Sequence, residues 1–418
     1  MCGERRPTRS HCKGRAGPMT ESNRGVVVFG VTVPVSATSF LRGQLRHLVQ
    51  VGWDVQLLCG TDGLEEFAEA EGATLQTVRT ARQPAPSDLV SLLLLWRRLR
   101  RIRPDVVVMS TPKMGVLGSL AAAMAGVPTR VYFILGHRAE GLSGPRRWVM
   151  SWLDRLACAA ATEVVPVSEG LGQLLTSERI VKAEKIQRLP RGAATLAVDT
   201  KRFRVPSTSE RARVREELGL DRDAPVVGFI GRLTRDKGLP ALPRTWSLIH
   251  QSSPRATLLL VGTPEPVDAD DRAALDALDS LASTVRRGHL ERVETALKAI
   301  DVLVLLSNRE GLGVVVLEAA ACGVPTVAYR VTGVVDTIVD GTTGLLCRPG
   351  DTVTVANSVQ SLLTDPQRRR SMGFAANSRV DDLFGPSAVW PAWDSFLIDR
   401  FGERRKNRGG PLGRGMRK

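Results

Sequence analysis

The sequence lacks any apolar run long enough to span a membrane. A membrane helix needs ~18–20 consecutive apolar residues. The longest candidate, residues 89–96, is short and runs directly into five arginines between positions 97 and 103. The N-terminal residues are basic and contain no apolar core, so the sequence does not predict a signal peptide. These absences argue against an integral membrane protein and against secretion.

Cysteine and aromatic residues are sparse, and neither forms a metal-binding or stacking pattern. The chain has six cysteines and five histidines, but no C-x-x-C pair and no metal-ligand spacing between the two residue types. We therefore expect reduced thiols in a cytoplasmic protein and no metal site. Aromatic residues make up only 5% of the chain, which argues against a surface for stacking nucleic-acid bases.

The net charge of +15 is concentrated at the two ends of the chain. Residues 1–24 carry a net +4 and residues 401–418 a net +6, so the body of the chain carries only +5. Both ends are rich in glycine and poor in apolar residues, so we expect 1–24 and 402–418 to be disordered basic tails. Such tails attract anionic surfaces, either lipid or nucleic acid. Tails that only keep the protein soluble and bind no partner explain this charge equally well.

The pattern of apolar runs predicts two successive series of alternating strands and helices, which is an α/β fold. A stretch around 190–210, rich in Pro, Ser and Thr and without clear periodicity, predicts the connection between them. We place the first domain at residues 25–195, the second at 196–385, and a last helix at 386–401 that crosses back to the first. Two parallel sheets of this Rossmann-like kind hold a ligand in the cleft between the facing ends of their strands.

Several local features carry structural predictions of their own. Asp88 and Ser168 are each expected to cap the helix that follows them. The residues after Gly30, at the end of the first strand, are expected to form a loop. Pro240 and Pro243 are expected to interrupt the helix that follows residue 238.

Glu310 and Glu318 stand eight residues apart at the junction of a predicted strand and helix. The glycines beside Glu310 allow the backbone to approach a ligand closely, and the first N–H groups of the new helix point toward it. Two acids beside an anion-binding helix start suit a ligand that has sugar hydroxyls and phosphate. An ordinary strand–helix unit with two solvated glutamates explains the same pattern, and spacing alone does not separate the two.

A charged loop at residues 231–238 follows the first strand of the second series. Arg232 and Lys237 lie five residues apart within it, between glycines. The guanidinium fork of arginine and the point charge of lysine both suit a diphosphate. Taken alone, the same pattern is also explained by a solvated loop of alternating charge without a ligand. The glutamate pair in the same half of the chain favours the ligand.

In the first series, Lys113 and His137 each follow a predicted strand, at the edge where ligands bind in open parallel sheets. His137 is a candidate base or acceptor-side donor. A lone loop histidine more commonly has no catalytic role, and both interpretations remain open at this stage. The turn after the first strand lacks G-x-G-x-x-G, so no dinucleotide site is predicted there.

These motifs resemble those of the retaining glycosyltransferases of family 4, which have the two-domain GT-B architecture. GRLTRDKG is similar to the family's phosphate loop, and NREGLGVVVLEAAACGVPTVA is similar to its pair of glutamates separated by seven residues. DTIVDGTTGLLCRPGD matches the stretch that follows, and the resemblance covers about residues 25–400. Within the family, the chain looks most like bacterial transferases that extend polyprenyl-diphosphate-linked oligosaccharides.

The resemblance implies a role for each matching residue on the donor side. Arg232 and Lys237, with Gly231, would hold the diphosphate of a sugar nucleotide and stabilise its charge as it departs. Glu310 would bind the hydroxyls of the transferred sugar, and Glu318 those of the ribose. Backbone N–H groups of the turn and the helix start would face the sugar and phosphate. These residues are Gly311, Leu312, Gly313 and Val314.

For the acceptor side, the resemblance implies a lining of Gly30, Lys113 and His137. Two departures from the family pattern fall in this half. The glycine-rich turn ahead of Asp199 is altered, and Gly136-His137-Arg138 stands where close relatives have G-L-R. These departures leave the identity of the acceptor open.

The resemblance also implies a reaction that needs no metal or other cofactor, and UDP is the nucleotide that it favours. No D-x-D pair stands where a metal-dependent transferase would require one. The leading hypothesis is a transferase acting on a lipid-linked acceptor at the cytoplasmic face of the cell membrane, held there by the basic tails and residues 97–103. A sugar-nucleotide epimerase or hydrolase, a transferase to a soluble acceptor, and a nucleic-acid-binding protein are the alternatives.

Overall fold

The computed structural model describes residues 24–80, 86–265 and 269–408. The predicted basic tails lie outside these residues, apart from Arg24 and residues 402–408, which continue the last helix. In the described part of the chain, no helix is long and apolar enough to cross a membrane. The cysteines of that part are buried free thiols, at Cys59, Cys158, Cys322 and Cys347.

The first domain is built on a six-stranded sheet with the strand order β3-β2-β1-β4-β5-β6. All neighbouring strands run parallel. β4 is buried along its whole length, as expected for a central strand covered by helices on both faces. The strands are β1 (Val26–Val31), β2 (Asp54–Cys59), β3 (Thr74–Thr77), β4 (Val106–Ser110), β5 (Thr129–Ile134) and β6 (Glu163–Pro166).

Helices alternate with these strands and cover the sheet. They are α1 (Pro34–Phe40), α2 (Gln44–Gln50), α3 (Glu65–Glu71), α4 (Asp88–Ile102), α5 (Pro112–Met124), α6 (Gly144–Ala160) and α7 (Glu169–Ser177). The small side chains of α5 allow close packing on the sheet, and a Cβ at Gly115 would lie 2.3 Å from the ring of Tyr132.

The second domain repeats the plan with the strand order β12-β11-β10-β7-β8-β9, again with parallel neighbours. Together the sheets confirm the predicted α/β fold with two Rossmann-like domains. The strands are β7 (Val226–Ile230), β8 (Thr257–Val261), β9 (Thr284–Arg287), β10 (Val302–Leu305), β11 (Thr326–Tyr329) and β12 (Gly344–Cys347).

The helices of this half surround its sheet and lead to the C-terminal helix. They are α8 (Thr208–Glu217), α9 (Leu242–Ser252), α10 (Ala269–Ser280), α11 (Val293–Ala299), α12 (Val314–Ala321), α13 (Val334–Thr337), α14 (Thr352–Thr364), α15 (Pro366–Arg379) and α16 (Pro386–Arg408). A single π-helical turn, Val380–Phe384, joins α15 to α16.

The structure confirms one of the predicted helix caps and corrects the other. The Ser168 hydroxyl accepts a hydrogen bond from the Leu171 N–H at the start of α7. Asp88 does not cap α4, whose N-cap is Ser87. Asp88 lies in the first turn instead and forms an ion pair with Lys113, at 2.6 Å.

Prolines start helices in this chain where the sequence predicted loops or interruptions. Pro34 occupies one of the first two positions of α1, so the stretch after β1 is helical and not an extended loop. Pro240 is the second residue of a short 3₁₀ segment, Leu239–Ala241, and Pro243 is the second residue of α9. A proline lacks an N–H that the first turn of a helix does not need, which explains all three positions.

α16 packs against the first domain. Asp394 accepts hydrogen bonds from Arg24, at 2.6 Å, and from the indole N–H of Trp53, at 2.8 Å. Trp393 is buried and donates to the Thr195 carbonyl oxygen, and Arg400 pairs with Glu163 on β6. The helix therefore links the end of the second domain to the first sheet. It also continues seven residues past its predicted end at residue 401.

Candidate active site

The two charged loops of the second domain meet at the C-terminal ends of β7 and β10. A Cβ at Gly238 would lie only 2.0 Å from the carbonyl oxygen of Leu306, so glycine is required for this close approach. The Asn308 N–H donates to the Asp236 carbonyl oxygen, and its side-chain amide donates to the Arg235 carbonyl oxygen. These backbone contacts hold the 231–238 loop against the turn that carries Glu310.

Lys237 and Glu310 form the central contact of this junction. The Lys237 ammonium lies 2.6 Å from Glu310 Oε1, and both side chains are largely shielded from solvent. The hydroxyl of the buried Ser307 donates to the same oxygen at 2.7 Å. The pair is thus held in a fixed position at the edge of the sheet, with the second Glu310 oxygen left for another partner.

Arg232 lies on the solvent side of the same loop, where two acids hold its guanidinium. Its two terminal nitrogens pair with Asp236, at 2.7 Å, and with Glu265, at 2.8 Å. Burial alone would lower the Arg232 pKa, but these carboxylates outweigh it and raise the pKa. Burial likewise favours a higher pKa for Asp236, and the Thr234 hydroxyl together with Arg232 reverses the effect and lowers it. Both groups are therefore fully charged.

A cavity of about 270 Å³ opens beside the Lys237–Glu310 pair. Its second-domain lining includes the predicted donor residues Gly231, Lys237, Glu310, Gly311, Leu312, Gly313 and Val314. The first domain contributes Leu135 and Val167, so the cavity lies in the cleft between the two sheets. Arg232 and Glu318 are absent from this lining.

The turn at Gly311 also touches the first domain directly. The Ser168 hydroxyl donates to the Gly311 carbonyl oxygen at 2.6 Å, and a Cβ at Gly311 would lie 1.9 Å from the Leu135 carbonyl oxygen. Gly313 then takes a left-handed conformation, with φ of 72°, and is the N-cap of α12. The first N–H groups of a helix have no partner within it, so α12 offers backbone donors toward the cavity.

Glu318 lies one helical turn beyond Val314 on α12, apart from the Lys237–Glu310 pair. Burial raises the pKa of its carboxyl group to about 7, the nearby charge of Arg202 lowers it, and Glu294 adds to the rise. The residue sits on the same side of α12 as Val314 and Val315, which line the cavity. A carboxyl group of this kind is a strong acceptor for hydroxyl groups when it is ionised.

His137 lies in a buried network and does not line the cavity beside Glu310. Its side chain is inaccessible to solvent, with Nδ1 at 2.7 Å from Asp154 and Nε2 at 3.3 Å from Glu178. Burial lowers its pKa, but the hydrogen bond and charge of Asp154 and the charge of Glu178 outweigh burial and raise it. In this conformation, His137 ties the loop after β5 to α6 and α7.

The other predicted acceptor-side residues differ from each other in their surroundings. Gly30 lies inside β1, where a Cβ would meet Met109 at 2.4 Å, so it serves packing within the first domain. Lys113 lies in the first turn of α5 with a mostly buried side chain, paired with Asp88. Neither residue lines the cavity beside Glu310.

The sequence did not single out Ser307, Asp236 or Glu265 as site residues. Ser307 precedes Glu310 by three positions at a strand end, which is a usable signal for a hydroxyl near the carboxylate. Glu265 lies 33 positions from Arg232 and no local pattern connects the two. Across the described residues, no group of three His, Cys, Asp or Glu is placed to hold a metal ion. Metal independence stays a prediction.

Two family models match the chain, one for each domain. Residues 37–192 match the "Glycosyl transferase 4-like domain" and residues 224–365 match "Glycosyl transferases group 1". The two matched segments contain both charged loops and the predicted acceptor-side positions Lys113 and His137.

Curated relatives match the chain over most of its length. The capsular polysaccharide biosynthesis glycosyltransferase CapM of Staphylococcus aureus is 27% identical over 369 residues, which are 88% of this chain and 96% of CapM. The UDP-Gal:alpha-D-GlcNAc-diphosphoundecaprenol alpha-1,3-galactosyltransferase of Escherichia coli is 25% identical over 286 residues, or 67% and 72% of the two chains.

Solved structures share the fold. HepE of Anabaena in complex with UDP-glucose superposes with a TM-score of 0.71 and 19% identity, over 92% of this chain and 100% of HepE. The two family models, the curated relatives and the two parallel sheets all point to the same family of enzymes. This chain therefore belongs to the family 4 glycosyltransferases of the GT-B fold, enzymes that transfer a sugar from a nucleotide-sugar donor.

Proposed function

We propose that the enzyme moves a sugar from a nucleotide-diphosphate donor to a lipid-linked, polyprenyl-diphosphate glycan acceptor in cell-surface polysaccharide biosynthesis, with retention of anomeric configuration and without a metal. The observation that carries the donor site is the Lys237–Glu310 ion pair beside the interdomain cavity. The acceptor class is supported by two relatives, one named for capsular polysaccharide biosynthesis and one for a GlcNAc-diphosphoundecaprenol acceptor.

The positive charges of the 231–238 loop account for the leaving group. As the bond between the sugar's anomeric carbon and the diphosphate oxygen breaks, its electron pair moves to the diphosphate. Lys237 and Arg232 stabilise the charge that develops there. The acceptor hydroxyl attacks from the same face, and its proton passes to the departing phosphate oxygen. These reaction steps retain the anomeric configuration of the sugar and need no protein base. The absence of a protein base agrees with the buried position of His137.

Glu310 has the geometry to bind the transferred sugar. Its Oε1 is occupied by Lys237 and Ser307, and its other oxygen is free to accept a sugar hydroxyl. Removal of this carboxylate loses a charge-assisted hydrogen bond to the donor sugar. Glu318 on α12 is assigned to the ribose hydroxyls, and the UDP-glucose bound to HepE supports UDP as the nucleotide.

Two substitutions test the donor site in a radiolabelled sugar-transfer assay. Glu310→Gln and Lys237→Ala are each expected to lower kcat/KM at least ~100-fold, because each removes a group from the reacting end of the donor. Arg235→Ala is the matched control, since Arg235 lies in the same loop but pairs with Asp270 on the surface. Full activity of both variants would remove this site assignment.

The same assay distinguishes transfer from other chemistry on this architecture. Label is expected to reach a polyprenyl-diphosphate-linked acceptor and to require it. Release of free sugar or formation of an epimer without acceptor would assign the enzyme to hydrolysis or epimerisation. Transfer to a soluble acceptor alone would remove the lipid-linked part of the proposal.

A location at the cytoplasmic membrane face follows from the same acceptor. The basic residues between 97 and 103 and the basic ends of the chain would attract anionic lipid headgroups. Sedimentation with vesicles tests it: binding that is insensitive to both anionic lipid and salt would exclude electrostatic attraction.

A further inference from the structure

Large apolar side chains are exposed on two helices of the first domain. On α4, Leu89 is 75% and Val90 61% exposed, and on α6, Trp148 is 66% and Trp152 50% exposed. Leu93, Leu94 and Val149 extend the same surfaces. Two exposed tryptophans one helical turn apart are costly to leave in water. We call these seven residues the α4–α6 face.

On α4 the exposed stripe changes character along the helix. Its first two turns present Leu89, Val90, Leu93 and Leu94, and its last two turns present exposed arginines at positions 97, 100 and 101. The spacing is that of one helical side, because exposed positions recur after three or four residues. The stripe is therefore apolar at one end and basic at the other.

α6 carries a similar combination. Arg146 and Arg147 are exposed in its first turn, directly before Trp148, and the exposed Arg155 follows Trp152. Tryptophan combines a large apolar ring with an N–H donor, and such rings favour the zone between lipid chains and headgroups. The helix thus presents an apolar patch between cations.

The topology places both patches on one side of the first domain. α5 packs against α4 on one flank and α6 on the other, so the three helices form one layer over the sheet. In parallel strand–helix units the helices run opposite to the strands, so the first turns of α4 and α6 lie at the sheet edge that borders the cleft. The beginning of the α4–α6 face therefore lies near the cleft, where the proposed acceptor would react.

We propose that the α4–α6 face docks on an anionic phospholipid bilayer, with Trp148, Trp152 and the leucines of α4 inserted among the headgroups. The cations that flank both patches match anionic lipid, and apolar insertion adds binding that salt does not screen. This inference deepens the proposed function by naming the surface that meets the membrane. It rests on the proposed location at the membrane and not on the identity of the acceptor glycan.

The experiment is co-sedimentation of the full chain with phosphatidylcholine vesicles, with and without phosphatidylglycerol. The wild type is expected to bind the anionic vesicles, with a blue shift of its tryptophan fluorescence, and to keep part of this binding at high salt. The Trp148→Ser/Trp152→Ser variant is expected to bind at least ~10-fold more weakly and to lose the salt-resistant part. Leu89→Ser/Leu93→Ser tests α4 in the same way.

Phe374→Ser is the matched control, because Phe374 is 74% exposed on α15 of the second domain. It is expected to bind vesicles like the wild type. Thermal stabilisation by a sugar nucleotide, unchanged in the tryptophan variant, separates membrane docking from donor binding and shows that the variant is folded. Unaltered vesicle binding of the tryptophan variant would overturn the proposal. So would a dimer that dissociates on this substitution, which would assign the face to a second copy of the chain.

Discussion

At the scale of single residues, the charged groups of the proposed donor site form ion pairs with one another. Lys237 lies against Glu310, and Arg232 lies between Asp236 and Glu265. In this arrangement carboxylates hold the cations in place in the absence of a ligand. Under the proposed function, a diphosphate would compete with Asp236 and Glu265 for Arg232, and Glu310 would keep one oxygen for the sugar.

Glu318 makes the stability of the enzyme depend on pH. Its pKa is raised from 4.5 to about 7 in the folded chain, chiefly by burial. Between these values the unfolded chain has released the proton and the folded chain has kept it, so this group lowers stability as pH rises. Glu318→Gln carries no charge. It is expected to unfold like the wild type at about pH 4 and to be more stable by on the order of 1–3 kcal/mol at about pH 8.

Chemical denaturation at the two pH values measures this effect. Glu66→Gln is the control, because Glu66 is exposed at the start of α3. A Glu318→Gln stability difference that is the same at both pH values would contradict the raised pKa. If Glu318 binds the ribose as an ionised acceptor, donor affinity of the wild type rises with pH through about 7 and that of the variant does not.

His137 also makes the folded chain less stable as pH rises, because its pKa is raised too. Its raised pKa stabilises the folded chain fully below the unfolded value of 6.5, and that contribution is lost as pH rises through the folded pKa. His137→Gln is expected to lose about 1–3 kcal/mol of stability at about pH 6 and less at about pH 9. Denaturation curves measure it, with the exposed His289→Gln as control. A larger loss at high pH would exclude a charged His137 between Asp154 and Glu178.

At the scale of elements, the position of the 231–238 loop depends on one glycine. Gly238 has a φ of 84° and its missing Cβ faces the Leu306 carbonyl oxygen, so Gly238→Ala must push the loop away from the Glu310 turn. Gly350 has nearly the same φ, 83°, with open space around it. Gly350→Ala therefore measures only the cost of placing a side chain at a positive φ, which is about 1 kcal/mol of folding stability.

Gly238→Ala is expected to cost more than ~2 kcal/mol of stability and at least ~10-fold in kcat/KM, because the clash displaces Lys237. Thermal unfolding and the transfer assay measure the two effects. If the two alanine variants behaved alike, the close contact with Leu306 would have no role in placing the loop.

Sequence reasoning succeeded where the determinants are local. The Ser168 cap follows from neighbouring residues and is confirmed. The burial of His137 depends on Asp154 and Glu178, which are 17 and 41 positions away and carry no shared pattern. The positions of Lys237 and Glu310 in one ligand site were predicted. Their direct ion pair could not be predicted, because it depends on how two loops meet in the folded chain.

At the scale of the whole molecule, α16 and the Gly311 turn join the two domains. Asp394 binds Arg24 and Trp53 of the first domain, and Ser168 binds the backbone of the second. One hydrophobic core continues from the first sheet through Trp393 and Leu397 of α16. α16 thus joins the last part of the described chain to the first domain.

Asp394→Asn tests this link. The loss of the carboxylate removes the ion pair with Arg24 and leaves the Trp53 N–H with an uncharged acceptor. α16 is therefore expected to detach more readily. Limited proteolysis should cut the C-terminal region at least ~3-fold faster, and stability should fall by about 1–2 kcal/mol. Asp399→Asn, on an exposed position of the same helix, should change neither. Equal protection of both variants would contradict the role given to Asp394.

The central claim is that Lys237 holds the donor diphosphate and Glu310 holds the donor sugar. Calorimetric titration of UDP and of a UDP-sugar into the wild type and both variants tests it most directly. Lys237→Ala is expected to weaken both ligands by at least ~10-fold, whereas Glu310→Gln should weaken the UDP-sugar and leave UDP unchanged. Equal losses for the two ligands in Glu310→Gln, or unchanged UDP binding in Lys237→Ala, would contradict the assignment.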